Sequence, residues 1–176
     1  MFVCEEPRWE RVIARILGRL PPVEGAPVRL AAARGLSDAH GPAEAGSFLR
    51  ERRIAFNCTR AEFPRIFVHE LFHFAWLRLG NRTRRAYEAV VEGELAAGAR
   101  GELGWSAEWR KNALRPADRR RRSRHWREYC CESFCDTAAW LYSGLTEHAE
   151  FTLAARYRRR RRAWFTESVE GKRLSI

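Results

Sequence analysis

The sequence predicts an α+β fold that is mostly helical, with a short β-sheet packed on one buried helix. Three observations lead there. Helical apolar periodicity recurs in five stretches, strand-like alternation is confined to residues 28–58, and one run, residues 66–76 (I-F-V-H-E-L-F-H-F-A-W), is apolar almost all round. A helix without a polar face belongs in a core. With 176 residues, 45% of them hydrophobic, the chain can build one domain (1–176) around a sizeable core, and neither an internal repeat nor a long linker divides it.

Taken in order, residues 9–20 put Trp9, Val12, Ile13, Ile16, Leu17 and Leu20 on one stripe with arginines between them. This is an amphipathic helix, stopped by Pro21-Pro22. Residues 23–47 are rich in Gly, Pro and Ala, with one short strand expected at Val28–Ala32. Residues 47–58 alternate loosely through Phe48, Ile54 and Phe56, as a strand or a hairpin arm does. Pro64 suits the first position of the next helix and Gly80 the residue beyond its end, so this helix carries the whole buried run. Residues 83–97 form another helix. Residues 98–116 read as a Gly- and Trp-containing loop with about one turn of helix. A long helix is expected over 117–142, ended by Ser143-Gly144, and a last one over 146–165, followed by a polar tail.

Composition narrows the setting. No stretch approaches the ~20 apolar residues of a membrane helix, and the start, M-F-V-C-E-E-P, lacks the basic region and apolar run of a secretory signal. Five cysteines, two of them adjacent (Cys130 and Cys131), do not form a disulfide framework, so a reducing, cytoplasmic setting is expected. The net charge of +11 raises nucleic acid as a partner. However, 31 of the 33 basic residues are arginine, a skew typical of coding-base bias, and the arginine runs at 119–122 and 158–162 lack interleaved aromatics.

The most informative residues are His69-Glu70-x-x-His73 within the buried run. Histidines four apart on a helix stand one turn above the other, within reach of a single ion. The intervening glutamate then sits beside the open coordination position, where it can take a proton from water. Flanking side chains are apolar, and buried histidines without strong partners are costly. A catalytic zinc needs a third protein ligand. Glu132, in E-S-F-C-D, is the leading candidate. Asp136, four residues on, shares its face and could hold the far nitrogen of a ligand histidine. Tyr129 and His125 lie on that face at helical spacing and are the expected donors to a developing oxyanion.

With these motifs in place, the chain resembles the gluzincin metallopeptidases, meaning the thermolysin-like group and its minimal single-domain versions. The run E-S-F-C-D-T-A-A-W-L (residues 132–141) is similar to the glutamate helix of ImmA/IrrE-type proteins. The resemblance covers two helices, about a quarter of the chain. It implies a small zincin-like domain, Zn²⁺ held by His69, His73 and Glu132, Glu70 as general base and Asp136 behind the ligands. It departs in one respect, because 58 residues separate His73 from Glu132, more than is usual there. Glu92, 19 residues after His73, therefore stands as an alternative third ligand, with Asp136, His125 and the cysteines behind it.

Two functions follow as expectations. The first is zinc-dependent hydrolysis of peptide bonds in a peptide or protein substrate, laid along an edge strand containing residues 54–57. The second is a metal-stabilised binding or regulatory protein without enzymatic activity that uses its basic surface on nucleic acid.

Overall fold

The computed structural model describes residues 1–38 and 41–176, with the side chain of Asp38 also outside the description. Among the described residues, eight short strands and seven helices run β1 (Phe2–Cys4), α1 (Pro7–Leu17), β2 (Val23–Glu24), β3 (Val28–Ala32), β4 (Ser37–Asp38), β5 (Gly41–Pro42), β6 (Ala45–Phe48), β7 (Arg53–Phe56), α2 (Phe63–Arg78), α3 (Asn81–Ala96), α4 (Trp105–Ala113), α5 (Pro116–Arg121), α6 (Arg124–Tyr142), α7 (Ala155–Ser168) and β8 (Leu174–Ser175). The chain is thus α+β and more than half helical, with a small mixed sheet. No helix among the described residues is long and apolar enough to cross a membrane.

The main sheet has the order β1-β3-β7-β6. β1, β3 and β7 are parallel neighbours, and β6 pairs antiparallel with β7 as a hairpin. Val28, Leu30, Ile54 and Ala55 are fully buried, as expected for parallel strands covered by helices. α1 starts at a proline and buries Trp9, Ile13 and Ile16, three residues on one stripe. Trp9 stacks on Phe63 of α2 at 4.9 Å and meets Phe56 of β7 edge-on at 5.2 Å. This aromatic knot ties the first helix, the sheet and the start of α2 together.

α2 begins with Phe63-Pro64 and contains no glycine or internal proline. Twelve of its sixteen residues are buried, among them His69 and Glu70. Its most extensive partner is α6. Phe72 and Trp76 of α2 pack on Phe134 of α6, and Phe134 stacks on Phe165 of α7 at 5.0 Å.

The long helix expected over 117–142 is broken. Arg122 adopts φ 48°, in the left-handed region, and ends α5. Ser123 then caps α6, accepting a hydrogen bond from the Trp126 amide and donating to Asp118 Oδ1 at 2.6 Å. A serine cap satisfies an amide that no helical carbonyl can reach, which favours a fresh start over continuation. Two more stretches differ: the last helix begins at Ala155 rather than 146, and residues 105–113, read as loop with about one turn of helix, form the nine-residue α4.

Beneath α4 lies a buried charge network. Arg161 of α7, fully buried, contacts Glu94 of α3 at 2.7 Å and Glu102 at 2.7 Å. Lys111 and Tyr129 also reach Glu102. The network pins residues 99–104 and so fixes where α4 starts, next to α6.

Candidate metal centre

Three side-chain atoms converge where α2 faces α6. His69 Nε2 lies 3.3 Å from Glu132 Oε2 and 3.2 Å from His73 Nε2, and His73 Nε2 lies 3.9 Å from Glu132 Oε2. Ligand bonds of about 2.0 Å at tetrahedral angles would set such atoms about 3.3 Å apart. Two of the three separations match that value and the third is slightly wider, so the donor set can hold an ion. Each imidazole also presents its other nitrogen to a fixed partner. His69 Nδ1 donates to Asp136 Oδ1 at 2.7 Å, and His73 Nδ1 faces Cys131 Sγ at 3.5 Å. These contacts select the tautomers that turn both Nε2 atoms toward Glu132.

Asp136 is itself held by α4. Its second oxygen accepts the Ala107 amide at 3.1 Å. A Cβ on Gly104 would stand 2.2 Å from the Asp136 carboxyl carbon, so the chain passes here without a side chain. The α4 residues were not legible as site residues, because 98–116 read as loop. Trp105 and Trp109 stand four apart behind Gly104, as on one helix face, but both are exposed, and the buried face is marked by Ala107 alone.

Charge explains the state of these groups without a metal. Burial alone would lower His69, but the Asp136 and Glu132 carboxylates outweigh it and hold its pKa well above the ordinary 6.5. His73 behaves likewise: burial opposes its charge, while Cys131 and Glu132 raise it to about 9. Burial would raise Glu132, yet the two imidazoles and Arg110 bring it down to about 2. The carboxylates thus demand positive charge at this place, which protons or a cation can supply.

Two further groups of metal-binding atoms, each within 4.8 Å, share His73: one is His69, Glu70 and His73, the other His73, Cys131 and Cys135. In the second group, a hydrogen bond from Cys135 and the neighbouring His73 bring the Cys131 thiol down to about 6.

A cleft of about 470 Å³ opens over His69, His73 and Glu132. Glu70 borders it from α2, and Ser47 of β6 donates to Glu70 Oε2 at 2.6 Å. Trp105, Trp109 and Arg110 of α4 form the opposite rim. Arg110 stands 3.4 Å from Glu132 Oε1 and donates to the Ser106 carbonyl at 2.9 Å. The other cation of the cleft, Arg65, is saturated by Glu62 and Glu150, at 2.9 and 2.8 Å.

The sequence-derived set is therefore divided. His69, Glu70, His73, Glu132 and Asp136 come together. Tyr129 does not join them: its hydroxyl is buried and donates to Glu102 at 2.7 Å. His125 keeps the right face of α6 but lies seven residues from Glu132, about 10 Å along the axis, with its side chain 73% exposed near Asp118. Glu92 points away on α3, 47% exposed and 3.6 Å from Arg119. The strand with residues 54–56 is not an edge, because β7 is flanked by β3 and β6. The free edge facing the cleft is β6, through Ala45, Gly46 and Ser47. Sequence reasoning missed Arg110 and Ser47, which carry no motif and reach the cleft only through the fold.

Comparison with protein-family models, with curated proteins and with solved structures yields no match.

Proposed function

We propose that the chain is a small zinc-dependent peptide hydrolase of the zincin type, with His69, His73 and Glu132 as ligands in the gluzincin arrangement. The observation that carries this reading is the convergence of His69 Nε2, His73 Nε2 and Glu132 Oε2 at the floor of an open cleft, with the Glu70 carboxylate at its border. Bound there, Zn²⁺ would supply Lewis acidity, bringing the pKa of water towards about 7 and polarising an acyl carbonyl.

The chain's own residues supply the rest. Glu70, oriented by Ser47, takes the proton of the attacking water and returns it to the leaving amine. Asp136 and Cys131 hold the ligand imidazoles in the required tautomers. Arg110, the cleft cation with donors to spare, takes the oxyanion-facing role expected of Tyr129 or His125. A substrate strand lies antiparallel or parallel along β6, the exposed edge, and pairs with its main chain.

The test is Glu70→Gln. The variant is expected to bind zinc as the wild type does while cleavage of a peptide library falls by about 10²–10⁴-fold. Undiminished cleavage by that variant contradicts the mechanism.

A further inference from the structure

We propose that a second concavity, about one turn of α2 beyond the cleft, binds a small phosphorylated anion. It lies at the far end of the α2–α6 pair, has a volume of about 370 Å³, and is walled by Arg84 and Arg85 of α3 and by Arg121, Arg122 and Arg127 around the α5–α6 junction. Glu88 is the one acid lining it among the described residues, and it is buried and ion-paired with Arg122. Five arginines thus line one concavity beside a single carboxylate, with Arg84 and Arg122 half-buried and Arg85, Arg121 and Arg127 exposed at its rim.

The hollow brings like charges together, and an anion would relieve their repulsion. Burial, followed by repulsion from Arg85 and Arg127, lowers the pKa of Arg122. α3 and α6 both begin at this hollow, and neither has an acidic residue in its first turn. Arg84, Arg85 and Arg127 therefore sit beside the positive ends of two helices, where cations are disfavoured and anions are bound, whereas Arg121 and Arg122 close the C-terminus of α5. The guanidiniums are also partly fixed: Arg84 donates to Asn81 Oδ1 at 3.0 Å, and Arg127 donates to the Arg122 carbonyl at 2.9 Å. Both keep donors unused by these bonds, and a planar fork of donors matches phosphate oxygens. The left-handed turn at Arg122 folds the chain so that α5 and α6 contribute to the same hollow. Trp76 lines it from α2, three residues beyond His73.

A strand of nucleic acid carries the same phosphate chemistry, but the walls enclose one or two phosphate groups rather than a track of them. The test is calorimetric titration of the full chain with inorganic phosphate and with pyrophosphate at low salt. Three proteins are compared: wild type, Arg85→Gln/Arg121→Gln, and Arg159→Gln/Arg160→Gln, the last pair being exposed on α7. The expected result is saturable binding of one pyrophosphate, weakened at least tenfold by the first double substitution and less than twofold by the second. Far-UV circular dichroism of these exposed-site variants confirms folding. Equal weakening by both pairs, or no saturable binding by wild type, overturns the site. A short DNA duplex that displaces pyrophosphate more than tenfold better than free phosphate does overturns the assignment to a small ligand.

Discussion

Asp136 accepts the Nδ1 proton of His69 at 2.7 Å while its other oxygen accepts the amide of Ala107 at 3.1 Å. One carboxylate thereby couples the orientation of the His69 imidazole to the position of α4. Partners that orient ligand histidines are commonly worth about 10–100-fold in metal affinity. Asp136→Asn is expected to weaken zinc binding by about that factor, because an amide can present a donor where His69 needs an acceptor. Competition against a chromophoric chelator measures it, and unchanged affinity would remove Asp136 from the account.

Ser47 reaches from the edge strand to Glu70 Oε2 at 2.6 Å. Hydrogen bonds to charged groups are worth about 1.5–3 kcal/mol. Ser47→Ala is expected to lower turnover by about tenfold with zinc content unchanged, since the serine touches Glu70 and none of the proposed ligands. Loss of metal in this variant would show that Ser47 supports the fold of the site rather than the orientation of Glu70.

The Arg161 network provides a test on stability. Removing one partner of a buried ion cluster leaves uncompensated charge and costs about 3–5 kcal/mol. Arg161→Met should lose that much in urea unfolding at pH 7. Burial pushes Glu102 up, but Arg161 overrides it and holds the pKa below the ordinary 4.5. This contribution is therefore complete above pH 4.5 and fades as the pH falls below it. Acidification should accordingly cost the wild type more than Arg161→Met. A constant difference between the two from pH 7 to pH 3 would mean that Glu102 is not held by Arg161.

The part of the fold written in local pattern was legible. α1, α2 and α3 begin within two residues of their expected starts, and β3 has the expected span, because proline starts and apolar periodicity mark them. His69, Glu70, His73, Glu132 and Asp136 were legible for the same reason, since helical spacing alone puts them on two faces. What was missed depends on tertiary placement. α4 shows a weak apolar face, and its site residue Arg110 looks like any other arginine until α4 packs on α6. Tyr129 shares a helix with Glu132, but the buried Glu102, 27 residues away in sequence, claims its hydroxyl. Which strand forms the sheet edge is likewise a property of long-range pairing, and alternation along residues 47–58 carries no information about it.

The central claim is that His69, His73 and Glu132 together grip one divalent ion, and stoichiometric zinc titration of the metal-free chain tests it most directly. Wild type and Glu92→Ala should each take up one equivalent with the same affinity, while Glu132→Ala should bind at least a hundredfold more weakly, having lost a ligand. If Glu132→Ala retained full affinity while Cys131→Ser lost it, the ion would belong to the thiol group beside His73. The account of the cleft would then be wrong.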